Sequence, residues 1–417
     1  MAATEPSPLL ELEVGAIATG GGCVAHVPDG RVAFVRHCLP GERVLARITS
    51  SGASFVRADA LEILHSSEDR VSPPCPHAGP GHCGGCDFQH VSVAGQRRLK
   101  AALVAEQLRR IARVDHEVTV EPVAGDHEGL GWRTRVRVGL DAEGRPGFRR
   151  HRSHELELVS GCPIAHPGVL ATGALGRTWE GLDELEVVAT DGGDALIAAS
   201  GPKRADPALP EGATGFVVNG QVRQPPGAVH VTVDGYRFRV SAGVFWQVHA
   251  GAAAALAGAV RDALGARAGD HVIDLYAGAG LFSVLAADVV GRSGSVLAVE
   301  RNARACTDAR HNARHAPHVQ VRRSSVTPTL VSQGLGEPDL VVLDPSREGA
   351  GRAVSAALAG LRPAPRRIVY VACDPSSFSR DLRVLLDAGW ALESLRAFDI
   401  FPMTEHIELV AALVPAD

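Results

Sequence analysis

The feature that most constrains the fold of this 417-residue chain is an alternation of apolar strands and helical stretches from residue 241 onward. The strand-like runs fall at 272–276, 295–300, 340–343, 367–372 and 407–410. Strands separated by helices predict a mostly parallel, doubly wound α/β sheet. Ligands of such sheets bind beyond the carboxyl ends of the strands. We therefore expect the functional residues of 241–417 to lie at that edge.

The first 64 residues have a different pattern, in which short strands alternate with glycine turns such as Asp29-Gly30 and Pro40-Gly41. This spacing is typical of a small barrel and predicts a five-stranded OB-like module. A boundary near 65–72 precedes a turn-rich β region that reaches residue 240. We therefore predict three domains: 1–64, 65–240 and 241–417. An amphipathic helix at 92–114 is a candidate to pack on the third domain, and 201–212 is expected to form a surface loop.

Composition predicts a cytoplasmic, monomeric protein without a membrane partner. The N-terminus has neither a basic region nor an apolar leader, and the longest apolar run, 250–260, is short of the ~20 residues that span a bilayer. In the cytosol, the eight cysteines are expected to be metal ligands, nucleophiles or core thiols, and not disulfides.

Positive charge is concentrated in two segments, 96–114 and 132–154, although the net charge of the chain is −5. Net charge does not describe local patches. For segment 96–114, a solvent-exposed charged surface and a binding role are equally good interpretations. For segment 132–154, a binding role is the better interpretation.

A glycine loop follows the first strand of the third domain. It contains Gly278 and Gly280, it is preceded by Asp274, and Glu300 ends the next strand. Glycines let the backbone approach a ligand, and the acid can accept both hydroxyls of a ribose. This pattern fits NAD as well as S-adenosylmethionine. Ser283, in place of a third glycine, and Asp274 favour S-adenosylmethionine, which has no pyrophosphate to bind.

A cysteine cluster lies in the second domain. It consists of Cys75, the pair Cys83 and Cys86, and Cys162 farther along the chain. Four such thiolates suit either tetrahedral zinc or an iron-sulfur cluster, and the spacing does not separate the two.

Three further motifs follow in the third domain. They are Asp344-Pro345-Ser346-Arg347, then Cys373-Asp374-Pro375, then Phe401-Pro402-Met403-Thr404-Glu405-His406-Ile407-Glu408. A cysteine at the end of a strand in a cofactor-binding sheet stands where a substrate would bind.

Together these features resemble the RNA 5-methyluridine methyltransferases over nearly the whole chain. The resemblance includes a TRAM-like RNA-binding barrel at the start, the four cysteines, Phe245-Trp246-Gln247, the glycine loop and the three late motifs. It implies transfer of a methyl group from S-adenosylmethionine to carbon 5 of a uridine in RNA, through a covalent cysteine adduct. The barrel and the cysteines point to the ribosomal RNA (23S) branch. A tRNA methyltransferase, a catalytically silent RNA-binding protein and a small-molecule methyltransferase remain alternatives.

The resemblance also implies roles for individual residues. Cys373 would be the nucleophile and Glu408 the base, and Phe245 would pack near the target base. The expected cofactor-binding residues, including those of the glycine loop, are Gln247, Tyr276, Gly278, Gly280, Glu300, Ser325 and Asp344. A 4Fe-4S cluster would be held by Cys75, Cys83, Cys86 and Cys162. The basic segment 132–154, with Arg135 and Arg149, is a candidate to grip RNA.

The chain departs from the family pattern at three of these positions. Ser346 replaces a proline, Asp374 replaces an asparagine and Ser325 replaces an aspartate. An acid beside a thiolate raises the pKa of the thiol, so we expect activity to depend on where the Asp374 carboxylate points.

Overall fold

The computed structural model describes residues 8–202, 208–209 and 211–416. The expected loop at 201–212 therefore lies partly outside the described residues, at 203–207 and 210.

The N-terminal region forms one six-stranded sheet. Its strands are β1 (Leu9–Glu13), β2 (Ile17–Ala18), β3 (Gly22–His26), β4 (Val32–Arg36), β5 (Arg43–Ser51) and β6 (Phe55–His65), in the order β1-β5-β6-β4-β3-β2. The prediction of five strands is wrong by one. The extra strand exists because Gly20 and Gly21 adopt φ of +97° and +70°, which lets β2 turn back onto β3.

A helix and a short strand then leave this region and join the C-terminal core. Helix α1 (Val93–Gln107) begins at Ser92, whose hydroxyl accepts from the Gly95 N–H at 3.1 Å, and continues as a π-helical turn (Leu108–Ala112). Val104 and Leu108 are buried among residues of the C-terminal sheet. Strand β7 (Val120–Pro122) becomes the edge strand of that sheet.

The central region forms a seven-stranded sheet of order β10-β9-β8-β11-β12-β13-β14. Its elements are β8 (Arg135–Leu140), β9 (Pro146–Arg149), β10 (Leu156–Leu158), α2 (Pro167–Ala171), a 3-10 turn (Ala174–Gly176), β11 (Glu184–Ala189), β12 (Ala195–Ser200), β13 (Gly215–Val218) and β14 (Gln221–Gln224). Trp179 and Phe216 pack in its core, with ring centroids 6.1 Å apart.

The remaining elements form the predicted doubly wound domain, preceded by a hairpin. They are β15 (Ala228–Val233), β16 (Tyr236–Ser241), α3 (Ala252–Leu264), β17 (His271–Leu275), α4 (Leu281–Val290), β18 (Ser295–Glu300), α5 (Ala303–Asn312), β19 (Val319–Arg323), α6 (Pro328–Gln333), β20 (Leu340–Leu343), α7 (Arg352–Ala359), β21 (Arg367–Ala372), α8 (Pro375–Asp387), β22 (Trp390–Asp399) and β23 (Glu408–Pro415). The sheet order is β19-β18-β17-β20-β21-β23-β22-β7. β20 is buried along its whole length because helices cover both faces.

The hairpin β15–β16 extends the C-terminal core toward the central region. Phe238 of β16 is 1% exposed and packs in the same apolar cluster as Leu256 of α3. In the part of the chain that is described, no helix is both long and apolar enough to cross a membrane.

Candidate active site

The carboxyl ends of four neighbouring parallel strands meet at one edge of the C-terminal sheet. The loop at 276–280 follows β17, Glu300 ends β18, Asp344 follows β20 and Cys373 follows β21. Glu408 begins β23, which runs antiparallel to β21 with Leu409 opposite Ala372. The reversed direction of β23 places Glu408 at the same edge as Cys373.

The 276–280 loop contains three residues in the left-handed backbone conformation. Tyr276, Gly278 and Gly280 all have positive φ, of +63°, +54° and +87°. Positive φ is uncommon and strained for tyrosine and accessible to glycine. A Cβ atom on Gly278 would meet no atom within 4 Å, whereas one on Gly280 would press on Ala309 at 3.2 Å. Gly280 is required for packing, and Gly278 leaves room for a ligand.

The Glu300 carboxylate is fixed beside this loop. One oxygen accepts from the Gly278 N–H at 3.0 Å and the other from the Asn302 N–H at 2.6 Å. A carboxylate has about four lone-pair sites, so sites remain for the hydroxyls of a ribose.

Two buried acids lie behind the loop. Burial raises the pKa of Asp274 to about 7, and the Ser283 hydroxyl, which donates to Asp274 Oδ2, opposes that rise. Burial and the nearby charge of Asp274 raise the pKa of Asp344 to about 7. Asp274 Oδ1 is buried without a hydrogen-bond partner among the described residues. Ser283, noted in the sequence as a missing glycine, is therefore a partner of Asp274.

Cys373 and Glu408 influence each other electrostatically. Burial, and after it the charges of Glu408 and Asp344, raise the pKa of the Cys373 thiol to about 12. Burial and the charge of Asp344 raise the pKa of Glu408 well above its ordinary value. The Arg347 guanidinium lowers both pKa values. Sequence reasoning gave Arg347 no role, although its place in the Asp344 motif was a usable signal.

Asp374 caps a helix. Its Oδ1 accepts from the Ser377 N–H at 2.7 Å at the N-terminus of α8. Aspartate and asparagine are equally good N-caps, which accounts for the replacement. Among the named charges that raise the pKa of Cys373, that of Asp374 comes after those of Glu408 and Asp344.

Known proteins match both the sequence and the fold. An uncharacterized RNA methyltransferase of Streptomyces avermitilis is 45% identical, with 97% of this chain and 98% of the relative covered. The 23S rRNA (uracil(1939)-C(5))-methyltransferase RlmD of Edwardsiella ictaluri is 30% identical, with 92% of this chain and 91% of the relative covered. The chain belongs to the RNA uracil-C5 methyltransferase family.

A solved structure shares the architecture of this family member. It is the Pyrococcus abyssi tRNA (uracil-54, C5)-methyltransferase in complex with S-adenosyl-L-homocysteine, which is 20% identical and gives a TM-score of 0.74 over 97% of this chain and 99% of that one. At this identity the match shows the fold, including the Rossmann-like C-terminal sheet. No protein-family model matches the sequence.

Two expected ligand contacts of this RNA methyltransferase lie in one loop before α3. Phe245 is 66% exposed, although aromatic side chains are usually covered. Gln247 is 8% exposed and lines a cavity between the central region and the hairpin β15–β16. No residue of the 276–280 loop lines that cavity. Ser325 is exposed just beyond β19.

The four cysteines of the expected cluster line one cavity of about 110 Å³, together with Arg133. Burial raises the pKa of Cys83 to about 11 and that of Cys86 to about 12. Within residues 8–202, 208–209 and 211–416, no three His, Cys, Asp or Glu side chains are grouped closely enough to hold a single metal ion.

The two arginines expected to grip RNA differ in exposure. Arg149 is exposed at the end of β9. The Arg135 side chain is 12% exposed, donates to the Val244 carbonyl at 2.5 Å and lies 3.8 Å from Glu186. The Arg135 guanidinium thus supports the loop that carries Phe245, and a contact between Arg135 and RNA stays a prediction.

Proposed function

We propose that this protein transfers a methyl group from S-adenosylmethionine to carbon 5 of a uridine in 23S rRNA through a covalent adduct with Cys373. The observation that carries the proposal is the placement of a thiol, Cys373, and a buried carboxyl, Glu408, at the sheet edge that also carries the 276–280 loop.

Each step of the reaction needs one of these two side chains. The Cys373 side chain, deprotonated to the thiolate, adds to carbon 6 of uracil, and the π electrons move onto carbon 5. S-adenosylmethionine, when bound, would supply the methyl group that carbon 5 takes up. The Glu408 carboxylate then removes the proton from carbon 5, the carbon 5–carbon 6 double bond re-forms and the thiolate leaves. Burial raises the pKa of Glu408, and a carboxylate with a raised pKa is a stronger base toward this proton.

The residues beside the sheet edge fit the methyl donor. Glu300 would accept the ribose hydroxyls, and the open space at Gly278 would let the ligand approach the backbone. Tyr276 and Asp344 flank the same edge, and Gln247 and Ser325 are proposed to complete the site.

The target uridine must leave its stack before Cys373 can reach it. Phe245 supports this step because an aromatic ring that is two-thirds exposed can stack on a base or take its place. The N-terminal sheet, proposed to be a TRAM-like OB barrel, and Arg149 would bind the flanking RNA.

The choice of 23S rRNA over tRNA rests on the relative RlmD, whose name gives a 23S rRNA uracil as its target, and on the cysteine cavity. We propose a 4Fe-4S cluster held by Cys75, Cys83, Cys86 and Cys162. A single zinc ion requires four sulfurs around one point, whereas a cluster binds each cysteine through a different iron and holds the sulfurs farther apart. Four cysteines around one shared cavity support this proposal, and the choice of iron over zinc follows the family resemblance.

The loss of Cys373 and the loss of Glu408 should stop the reaction at different stages. Cys373→Ala should bind RNA and yield neither methylation nor a covalent complex. Glu408→Gln should accumulate a methylated RNA–protein adduct that survives denaturing electrophoresis, because the proton stays on carbon 5 and the thiolate cannot leave. Normal turnover by Glu408→Gln, or activity in Cys373→Ala, would contradict the mechanism. Inactivity of the native enzyme on every RNA would favour a silent RNA-binding protein.

The RNA branch and the cluster need separate measurements. Transcripts of 23S rRNA fragments should accept methyl groups. A preference for tRNA transcripts would contradict the proposal that 23S rRNA is the substrate. Anaerobically purified protein should be brown, with sulfide-to-iron absorption that Cys83→Ser bleaches and Cys306→Ser, a buried cysteine outside the cluster, leaves intact. One zinc in a colourless anaerobic preparation would overturn the cluster.

A further inference from the structure

A partly open cavity of about 300 Å³ lies outside the sheet edge described above. Its walls come from β11 and the turn after it, from β15, and from the segment between Phe245 and α3. The residues that matter to its chemistry are Val188, Thr190, Val231, Trp246, Gln247 and His249. No residue of the mechanism proposed above, other than Gln247, is among them.

Two buried polar atoms in these walls have no hydrogen-bond partner among the described residues. They are Thr190 Oγ1 and His249 Nε2, on side chains that are 9% and 1% exposed. A buried polar group without a partner destabilises the fold. Two of them in one cavity indicate that a ligand with polar edges completes the site.

The hydrogen-bonding character of His249 can be assigned. Its Nδ1 accepts from the Gly251 N–H at 3.1 Å. Burial lowers the pKa of His249 to about 4, so the ring is neutral at neutral pH. A neutral imidazole has one N–H, and Nε2 therefore carries it. His249 offers a donor and Thr190 a hydroxyl that donates or accepts.

The basic side chains in the cavity walls are already engaged, and the exposed Asp191 carboxylate in the same walls lies 3.0 Å from the His166 ring. Arg135 is engaged with Val244 and Glu186, and His230 lies 3.1 Å from Asp194. A site for phosphate would need a free cation. Neutral donors and acceptors between apolar walls instead match a nucleobase, whose flat faces are apolar and whose edges alternate donors with acceptors.

We infer that this cavity binds a second, unstacked nucleobase, next to the target uridine in the substrate RNA. The segment that forms one wall begins directly after the exposed Phe245, so one loop carries both the aromatic ring and this wall. This inference rests on the proposed function, since RNA supplies the base. A free nucleoside has the same chemistry and is the other source to be tested.

The test uses RNA oligonucleotides that contain the target uridine. Each oligonucleotide carries one abasic substitution, at a different flanking position. For the full-length native protein, one abasic position should weaken RNA binding about tenfold, as expected for loss of one bound base. Thr232→Trp, an exposed residue at the rim of the cavity, should weaken binding of intact RNA and abolish that penalty. Gln221→Trp, exposed on β14 away from the cavity, is the matched control and should keep it.

A second variant removes a hydrogen-bonding group without filling the cavity. Thr190→Val loses a hydroxyl that has no partner among the described residues, so the fold should keep its stability while RNA affinity falls severalfold. The same proteins are titrated with free adenosine, guanosine, cytidine and uridine, followed by tryptophan fluorescence. Nucleoside binding that Thr232→Trp abolishes, without an abasic penalty, would assign the cavity to a free nucleoside and overturn the RNA source.

The outcomes separate the inference from the proposed function. Equal abasic penalties in native protein and Thr232→Trp, together with no nucleoside binding, would mean that the cavity holds only water and would overturn the inference, even if methylation is intact. Absence of methylation by the native protein would instead overturn the proposed function, and the nucleoside titration would still decide whether the cavity binds a base.

Discussion

At the scale of single residues, the protonation states of Cys373 and Glu408 depend on burial and on one cation, Arg347. Burial raises the pKa of both groups, and Arg347 lowers both. Arg347 therefore favours the thiolate that attacks and the carboxylate that removes the proton. The Asp374 carboxylate, fixed as a helix cap, raises the pKa of the thiol less than Glu408 and Asp344 do.

We expect Arg347→Met to shift the pH dependence of kcat/KM for methyl transfer. Both groups act in their deprotonated forms, so activity rises with pH through their pKa values. Loss of the nearby cation raises those pKa values and moves the rising limb to higher pH, by about one pH unit or more. Arg352→Met, an exposed residue at the start of α7, should leave the profile in place. If the pH dependence of kcat/KM is the same in Arg347→Met as in the native protein, Arg347 does not have this electrostatic role.

Phe245 gives a second prediction for a single residue. Because its side chain is exposed, Phe245→Ala should leave the unfolding free energy unchanged. It should lower kcat/KM for methyl transfer by about tenfold or more, since stacking on one base contributes roughly 1 to 3 kcal/mol. Val222→Ala, at another exposed apolar residue, should change neither quantity. A stability loss without a kinetic effect would make Phe245 a packing residue.

At the scale of elements, α1 connects the N-terminal region to the catalytic sheet through buried polar contacts. Lys100 is fully buried, and its Nζ donates to Asp399 at 2.6 Å and to the Phe401 carbonyl at 2.9 Å. The Gln96 side chain accepts from the Met403 N–H at 2.7 Å. These contacts fix the segment between β22 and β23 that leads to Glu408.

We expect Lys100→Met to destabilise the fold by about 3 kcal/mol, because among the described residues it leaves Arg97 as the one ionic partner of the buried Asp399 carboxylate. Urea unfolding would measure the change. Arg98→Met on the same helix is the control: its ion pair with Asp69 is exposed, and exposed pairs contribute about 1 kcal/mol or less. Equal effects in the two variants would show that Lys100 does not anchor the helix.

At the scale of the whole molecule, the central sheet has two ends that differ in function under our proposal. Arg149 lies on β9 near one end, and Arg223 lies on β14 at the other. Both side chains are exposed. The cysteine cavity is also near the β9 end, since Cys83 pairs with Arg150 in an isolated β-bridge.

Arg149→Ala should weaken RNA binding and reduce the slope of log affinity against log salt by about one, as expected for loss of one phosphate contact. Arg223→Ala should leave both quantities unchanged. Titrations at several salt concentrations would distinguish these results. Identical behaviour of the two variants would make the basic segment at 132–154 a solvated surface.

The sequence alone determined the doubly wound C-terminal sheet, because buried parallel strands require continuous apolar runs that local periodicity reveals. It also determined the glycine loop and the order of the motifs. Only the tertiary structure decided that β7 and the hairpin β15–β16 pack with the C-terminal core, because contacts between distant segments leave no local pattern; the amphipathic pattern of α1 had already made that helix a candidate to do so. The same holds for Arg135: an arginine in a basic run reads as exposed, and only the fold shows that its guanidinium is held by Val244 and Glu186.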